Sequence, residues 1–399
     1  MKVSTDEQKI KHLLTHSVEE VFVRESLEKK LRSGKQLRVK LGFDPTSPFL
    51  HIGRAIVLWK LREFQELGHK VVFIVGDTTA LIGDPSDKLE KRPMLTTKKI
   101  KDNLKNYRAQ VGKILDLKKA EFHFNSKWLK KLNFNEIIEL AECFSLQQMS
   151  HRRNFADRIE KGEEISLREL LYPLMQGYDS VAVKADVEIG GFDQLFNLKA
   201  GRIIQKHYGQ TEQDIINCQM LEGTDGRKMS SSWGNVINLL DEPTDMYGKV
   251  MAVRDDLIVK YFTLCTRLSD EEINNIKKTV EEGGNPRDAK MRLGKEIVSL
   301  YHGEKKAKEA EENFIKTFQK GGVSEDATVV TIKKEELLVD VLLKEKIISS
   351  KNEWRRLVEE NAIFNMDTNE KITDQYFKVV NPITLRVGKR RFVKINTKK

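Results

Sequence analysis

The stretch LRVKLGFDPTSPFLHIGRAIVLWKLREFQELGHKVVFIVG, residues 37–76, decides the fold of this chain. Residues 37–43 and 70–76 are apolar, β-rich runs of the kind found in strands that helices cover on both faces. Between them, residues 51–67 have the apolar spacing of a helix, and Gly68 is a natural stop. Strand, loop, helix and strand in this order predict a βαβ unit with a right-handed crossover.

The same alternation continues through the first 240 residues. Helical spacing fills about the first 35 residues and most of about 96–165, and FHF at 122–124 reads as a short strand. Further strands are expected at 187–191 and 214–220, with a helix at 192–208 between them. Strands that alternate with helices predict an α/β fold, here a Rossmann-like, doubly wound parallel sheet over residues 1–240 with a helical insertion at about 96–165.

After residue 240 the alternation of strands and helices stops. Residues 241–320 contain only amphipathic segments and predict an α-helical subdomain. Residues 321–334, which include GGVSEDAT, predict a linker, and residues 335–399 predict a compact basic module. The segment 386–399 holds seven basic residues and no acidic one. Such a run is typical of a nucleic-acid surface, although a solvated basic tail remains an alternative.

Composition excludes several classes of protein. A hydrophobic fraction of 39% is enough for a large core and excludes a disordered chain. No apolar run reaches the roughly 20 residues that span a bilayer, and the N-terminus lacks a signal-peptide pattern. The three cysteines are far apart in sequence and match neither a disulfide framework nor a Cys-x-x-Cys metal site. We therefore expect a cytoplasmic protein with no structural metal.

Two loops carry side chains suited to phosphate. The first, at 45–54, lies between a strand and a helix start, where free N–H groups favour anions. Thr46 and His51 can donate to phosphoryl oxygens, and Gly53 permits close approach of a flat group. The second, GTDGRKMSSS at 223–232, could close over a triphosphate through Lys228 and its serines. Taken singly, each loop is also consistent with an ordinary surface turn.

Three further segments point to a small polar ligand. Tyr172, Gln176 and Asp179 are spaced four and three apart, so they share one helix face. The turn at 188–194 has paired glycines followed by an aspartate that could bind a ribose or simply cap a helix. The turn GDPS at 83–86 follows the second predicted strand. A solvated helix stripe and a plain turn remain alternatives for these segments.

In this order the segments resemble the signatures of the class I aminoacyl-tRNA synthetases. HIGR is similar to their HIGH signature and KMSSS to their KMSKS signature. The set GFDPT, GDPS, YPLMQGYD and GGFDQ resembles the bacterial type of tyrosyl-tRNA synthetase, over at least residues 37–265. The segment 337–364 resembles an S4 RNA-binding domain. The resemblance implies L-tyrosine, ATP with bound Mg²⁺, and tRNA(Tyr) as substrates, together with a homodimer. We expect the dimer interface at residues 126–165.

The resemblance also assigns roles to individual residues. The catalytic group implied for phosphate stabilisation comprises Thr46, His51, Arg54, Lys228, Ser231 and Ser232. The implied ATP contacts are Asp44, Gly53, Gly191, Asp193, Lys88 and Arg92. The implied tyrosine contacts are Asp84, Tyr172, Gln176, Asp179, Gln194 and Lys40. The RNA contacts are expected from Lys351, Arg355, Arg356, Lys389, Arg390 and Arg391.

Three positions depart from the family pattern. Arg54 replaces the last histidine of HIGH but can still donate to phosphate. Ser231 replaces the second lysine of KMSKS and removes a positive charge, which Arg227 or a cation could supply. Lys40 stands where many members place a tyrosine that contacts the substrate hydroxyl, so Asp179 is expected to carry that recognition alone.

Three other functions are consistent with parts of the pattern. A small-molecule nucleotidylyltransferase also uses HxGH at a βα turn but does not need the KMSSS loop or an RNA module. A non-catalytic RNA-binding or splicing protein could retain the scaffold with an altered Arg54 and Ser231. A tryptophan-specific synthetase is the nearest alternative, and GGFDQ and the S4-like tail argue against it.

Overall fold

The computed structural model describes residues 2–86, 94–319, 328–368, 370–388 and 391–398. The chain forms two compact units, Met1–Tyr301 and His302–Lys399. The first unit is built on a six-stranded sheet whose strands are β1 (Val18–Phe22), β2 (Arg38–Phe43), β3 (Lys70–Val75), β4 (Glu121–Phe124), β5 (Val187–Gly191) and β6 (Asp214–Cys218). The strand order is β1-β6-β5-β2-β3-β4.

The sheet is doubly wound, as the sequence predicts. From β2 the chain proceeds outward through β3 and β4, and then returns to β5 and β6 on the other side of β2. All neighbouring pairs among β2 to β6 are parallel. The order therefore reverses between β2 and β5, and the crevice at the carboxyl ends of these two strands is where an open α/β sheet binds ligands.

Helices cover the sheet and complete the first unit. They are α1 (Glu7–Thr15), α2 (Arg24–Arg32), α3 (Ile52–Glu66), α4 (Thr79–Ile82), α5 (Thr97–Leu104), α6 (Tyr107–Val111), α7 (Ser126–Leu129), α8 (Phe134–Glu142), α9 (Leu146–Ser150), α10 (Arg153–Glu160), α11 (Leu167–Val183), α12 (Leu195–His207), α13 (Pro243–Met251), α14 (Ile258–Cys265), α15 (Asp270–Glu281) and α16 (Pro286–His302). Short 3₁₀ turns occupy Phe192–Gln194, Ser231–Trp233 and Asp255–Leu257. The strand-free helical stretch predicted after residue 240 is present.

The expectation of purely helical structure in the first 35 residues is wrong. Residues Val18–Phe22 form the edge strand β1, which pairs antiparallel with β6. The local sequence does not predict this strand, because Glu19 and Glu20 interrupt its apolar residues. Its stabilising partner lies about 200 positions later in the chain, and an edge strand depends on that pairing. The turn GDPS also follows the short helix α4 rather than β3 directly.

In its described residues, the second unit combines three helices with a small mixed sheet. Its helices are α17 (Glu304–Gln319), α18 (Leu338–Lys344) and α19 (Lys351–Glu359), and its strands are β7 (Thr328–Lys333), β8 (Glu336–Leu337), β9 (Ile363–Asn365), β10 (Glu370–Lys371), β11 (Lys378–Val379), β12 (Ile383–Val387) and β13 (Arg391–Lys398). One sheet has the order β10-β9-β12-β13-β7, and β8 pairs with β11. Trp354 and Leu357 from α19 pack with Leu385 and Val393 in a common core.

The linker predicted at 321–334 is too long at its C-terminal end. Residues Thr328–Lys333 form β7, which runs parallel to β13. The run TVVTIK is rich in β-branched residues, and that composition favours a strand over a linker. The N-terminal part of the predicted linker, 321–327, lies outside the described residues.

Within the described residues, no helix is long and apolar enough to cross a bilayer.

Candidate active site

A cavity of about 380 Å³ opens at the carboxyl ends of β2 and β5. Its walls come from five separate parts of the first unit, which supply residues between 42–57, 74–84, 172–179, 191–194 and 219–231. The fold therefore brings together the two loops and the three polar segments that the sequence singles out. His51 and Lys228 line this one cavity.

The turn from β2 into α3 supplies one wall. His51 is the N-cap residue of α3, and its Nδ1 atom is buried without a hydrogen-bond partner among the described residues. Burial is the main cause that lowers the pKa of His51 to about 3, with the nearby charge of Arg54 as the second. The imidazole is therefore neutral near pH 7 and can offer a hydrogen bond without carrying charge.

Arg54 stabilises the turn between β2 and α3 through hydrogen bonds to two of its residues. Its Nη2 atom donates to Oγ1 of Thr46 at 3.1 Å, and its Nη1 atom donates to the backbone oxygen of Asp44 at 3.3 Å. The guanidinium also lies 5.5 Å from the ring centroid of Phe43. Arg54 thus lines the cavity while it fixes the position of Thr46.

Two glycines leave room for a ligand and for a carboxylate. At Gly53, an added Cβ would lie 3.1 Å from both His51 Nδ1 and Met229 Sδ. At Gly76, which follows β3, an added Cβ would lie 2.0 Å from Asp44 Oδ1. Gly76 was not a predicted site residue, and a glycine at the end of an apolar strand gives no signal of this contact.

The loop at 223–235 contributes Lys228 to the lining of the cavity. The Nζ atom of Lys228 lies 3.5 Å from Oδ2 of Asp193, which follows β5. Asn235 holds the loop together: its Oδ1 accepts from the backbone N–H of Ser230 at 2.8 Å, and its Nδ2 donates to the backbone oxygen of Lys228 at 3.1 Å. Ser231 lines the cavity. The side chain of Ser232 lies outside the described residues.

Arg227 is not among the residues that line the cavity. It pairs with Asp225 through its Nε and Nη2 atoms at 2.8 and 2.6 Å. Its guanidinium also stacks over the ring of Trp233 at 5.0 Å. In this arrangement Arg227 stabilises the loop and does not replace the missing lysine.

A second group of polar side chains lines the inner end of the cavity. Tyr172 donates its hydroxyl proton to Oδ2 of Asp44 at 3.0 Å. Gln194 donates to Oδ2 of Asp84 at 3.2 Å. The cavity wall also includes Gly191 and Gln176. Burial is the largest cause that raises the pKa of Asp44 to about 7, which the hydrogen bonds from Thr79 and Tyr172 oppose.

Asp179 also lines the cavity and is buried. Its Oδ1 accepts from Nε1 of Trp128 at 2.7 Å, and its Oδ2 accepts from Nδ2 of Asn125 at 3.3 Å. Burial raises the pKa of Asp179 to about 7, and the positive charge of Lys40 is the largest opposing cause. Sequence reasoning missed Asn125 and Trp128, since neither belongs to a motif.

Lys40 does not line the cavity. It faces Glu188 directly across the β2–β5 pair, and its Nζ atom lies 2.9 Å from Oε1 of that carboxylate. Both side chains are essentially inaccessible to solvent. Nζ also donates to Ser180 Oγ at 2.8 Å and to the backbone oxygen of Gln176 at 2.9 Å. The residue expected beside the substrate hydroxyl is instead a buried support beneath α11.

Four of the six predicted RNA contacts are among the described residues, and all four belong to the second unit. Lys351, Arg355 and Arg356 are exposed on α19. Arg391 pairs with Glu353 at 2.8 Å and is only partly exposed. Lys88, Arg92, Lys389 and Arg390 lie outside the described residues.

Comparisons with known proteins identify the family of the chain. The sequence model of the family described as "tRNA synthetases class I (W and Y)" matches residues 32–319. The "Tyrosine–tRNA ligase" of Thermotoga maritima is 47% identical over 396 residues, which are 98% of each chain. The "Tyrosine–tRNA ligase" of Carboxydothermus hydrogenoformans is 45% identical over 97% of this chain and 96% of its own.

Solved structures show the same fold. The C-terminally truncated mitochondrial tyrosyl-tRNA synthetase of Aspergillus nidulans aligns with a TM-score of 0.64 at 23% identity, over 78% of this chain and 95% of its own. The tyrosyl-tRNA synthetase of Archaeoglobus fulgidus, complexed with L-tyrosine, aligns with a TM-score of 0.60 at 20% identity, over 76% of this chain and 99% of its own.

The chain therefore belongs to the class I tRNA synthetases, in the family that serves tryptophan and tyrosine. Within that family it groups with the bacterial type of tyrosyl-tRNA synthetase, because its near-full-length relatives carry that activity in their names. The resemblance inferred from the motifs is confirmed.

Proposed function

We propose that the chain is a tyrosine–tRNA ligase that joins L-tyrosine to ATP and then transfers the tyrosyl group to the 3′ end of tRNA(Tyr). The observation that carries this proposal is the single cavity in which His51, Lys228 and Asp179 meet. Near-full-length identity to tyrosine–tRNA ligases supports tyrosine over tryptophan and over a non-catalytic role.

The first step needs positioning rather than a general base. A tyrosine carboxylate is already ionised near pH 7, and its oxygen attacks the α-phosphorus of ATP. The bond from that phosphorus to the bridging oxygen breaks, and pyrophosphate leaves. Protein groups that hold the reactants and stabilise charge on the departing phosphates supply the rate enhancement.

The donors for the departing pyrophosphate come from both walls of the cavity. Thr46, held by Arg54, and the neutral imidazole of His51 would contact the phosphates from the α3 side. Lys228 and Ser231 would contact them from the opposite loop. Asp193 and Gly191 would bind the ribose, and Asp44 the nucleotide, while Mg²⁺ would enter with ATP as part of the substrate.

The inner end of the cavity fits tyrosine. Asp84, Tyr172 and Gln176 would receive the α-ammonium group, with Gln194 near the carboxylate. Asp179 would accept a hydrogen bond from the substrate phenol. A buried acceptor that finds no hydroxyl partner is costly, so phenylalanine should be rejected there.

Two properties extend beyond the cavity. The exposed basic residues Lys351, Arg355 and Arg356 on α19 support tRNA binding by the second unit, with the salt sensitivity of phosphate contacts. Exposed apolar side chains on α8 to α10, including Phe134, Leu146 and Ile159, support a homodimer through the predicted 126–165 surface. Sedimentation analysis tests the dimer.

Exchange of pyrophosphate into ATP tests the proposed activity. Tyrosine should support exchange, whereas phenylalanine and tryptophan should support little. Exchange driven best by tryptophan would contradict the choice of amino acid. Absence of exchange with any of the three, in a folded protein, would contradict the enzymatic proposal.

A further inference from the structure

Arg152 is a buried arginine that does not line the cavity and has no role in the proposed reaction so far. It is 6% exposed, and its guanidinium carbon lies 4.5 Å from the ring centroid of Phe196 and 5.1 Å from that of Phe155. Burial is the main cause that lowers its pKa to about 10, so it remains charged near pH 7. Burial of a charged guanidinium costs free energy unless polar partners compensate it, so the hydrogen bonds that Arg152 makes matter.

A short chain of hydrogen bonds leads from Arg152 to the cavity. Its Nη2 atom donates to Oδ1 of Asn197 at 3.0 Å. The Nδ2 atom of Asn197 then donates to Oδ1 of Asp84 at 3.2 Å. Asn197 is fully buried, and Asp84 lines the cavity.

The segment 152–154 also contacts the turn at 83–86 through a second hydrogen bond. Asn154, two residues after Arg152, donates from Nδ2 to the backbone oxygen of Pro85. Within the turn, the backbone N–H of Ser86 donates to Oδ1 of Asp84 at 2.9 Å. The start of α10 and the Asp84 turn are thus joined through a side chain and through the backbone.

We propose that Arg152 is a positioning residue for recognition of the substrate α-ammonium group. Because Arg152 is a donor only, it fixes the oxygen of the Asn197 amide on its own side and the nitrogen on the side of Asp84. Without Arg152, the amide can turn its oxygen toward the carboxylate, which would repel Asp84 and displace it. This inference rests on the proposed function, in which Asp84 receives the α-ammonium group.

Equilibrium binding of two ligands tests the role. Tyrosine carries the α-ammonium group, and 3-(4-hydroxyphenyl)propionate lacks it but keeps the phenol and the carboxylate. In Arg152→Met, the Kd for tyrosine should rise about tenfold, the usual cost of a lost hydrogen bond to a charged group. The Kd for the propionate should change by less than about twofold, and Arg152→Lys should restore part of the tyrosine affinity, because lysine still donates to Asn197.

Two further variants keep the test interpretable. Arg267→Met is the matched control, since Arg267 also stacks on an aromatic ring, that of Trp59 at 5.0 Å, and does not line the cavity. It should leave both constants unchanged. If Arg152→Met fails to fold, Asn197→Leu removes the donor to Asp84 that Arg152 orients and should give the same selective loss of tyrosine affinity.

The possible outcomes separate the inference from the proposed function. Equal weakening of both ligands, or no weakening of either, would mean that Arg152 only packs the pocket and would overturn the inference, while tyrosine-dependent exchange by the wild type would leave the proposed function intact. A folded wild type without such exchange would overturn both.

Discussion

The hydroxyl of Tyr172 and the carboxylate of Asp44 are joined by a 3.0 Å hydrogen bond across the cavity. Tyr172 belongs to α11 and Asp44 follows β2, so this contact connects the proposed tyrosine subsite with the proposed nucleotide subsite. We therefore expect this one hydroxyl to influence the binding of both substrates.

Tyr172→Phe should raise the KM for tyrosine and for ATP together. Loss of the hydroxyl leaves the Asp44 carboxylate without one of its donors, and we expect an increase of about tenfold in each KM. Steady-state exchange kinetics measure both constants. Tyr261→Phe is the matched control, because it also removes a buried hydroxyl, which donates to the backbone oxygen of Glu222 at 2.8 Å, and does not line the cavity. A change in only one KM would contradict the proposed connection.

Lys228→Met should lower kcat for pyrophosphate exchange by about 100-fold, since a charge that acts on the leaving phosphates is lost. The Kd for tyrosine should not change, because Lys228 is not among the residues proposed to contact tyrosine. Lys260→Met serves as the control: Lys260 pairs with Glu222 near the base of the same loop and does not line the cavity. Equal losses in the two variants would indicate a disturbed loop rather than a lost charge.

Gly76→Ala should abolish most activity, because the added Cβ would lie 2.0 Å from Asp44 Oδ1 and 2.2 Å from Thr79 Oγ1. Gly248→Ala, within α13, meets nothing within 4 Å. That control should retain activity and gain about 0.5–1 kcal/mol in the free energy of unfolding from better helix propensity. Full exchange activity in Gly76→Ala would show that Asp44 can move freely.

The free energy of unfolding should depend on the ionisation of Asp179. Its pKa of about 7 in the folded chain lies above the ordinary value of 3.8. Between these values the folded chain holds a proton that the unfolded chain has lost, so the contribution of Asp179 to stability falls as pH rises from about 4 to 7 and is constant above that. Asp179→Asn removes this titration.

Denaturant unfolding at several pH values, without tyrosine, measures the effect. The stability difference between Asp179→Asn and the wild type should shift in favour of the variant from pH 4 to pH 7, by on the order of 4 kcal/mol. Asp256→Asn should not show this shift, since Asp256 is exposed and its hydrogen bond with Arg254 lowers its pKa. A pH-independent difference for Asp179→Asn would contradict the buried, proton-binding carboxyl.

Deletion of residues 320–399 should spare pyrophosphate exchange and greatly reduce tRNA charging. The family match ends at residue 319, and the cavity lies entirely in the first unit. Charging assays at two salt concentrations measure the contribution of phosphate contacts. Unchanged charging by the truncated protein would refute the RNA-binding role of the second unit.

The sequence predicted the site well where chemistry is concentrated in short segments at strand ends. His51, Asp84, Asp193 and Lys228 lie in loops of a parallel sheet, and such loops meet at one edge of the sheet. The βαβ unit at 37–76 fixed the position of that edge. These are local patterns, and local patterns can be read without the structure.

Contacts that depend on register or on distant segments could not be read in this way. The pairing of Lys40 with Glu188 requires the alignment of β2 on β5, strands about 150 residues apart. Trp128 reaches Asp179 from a helix of its own, and Arg152 reaches Asp84 only through Asn197. Edge strand β1 was missed for the same reason, because its stabilising partner is remote in sequence.

The uncharged imidazole of His51 also bears on how the reaction finishes. Because burial lowers its pKa to about 3, this side chain carries no positive charge at neutral pH and offers the anionic product a hydrogen bond only. A neutral donor loses little when that product departs, whereas an ammonium group loses much more. We therefore expect the release of pyrophosphate to depend chiefly on the charged side chains that line the cavity, Arg54 and Lys228, rather than on His51.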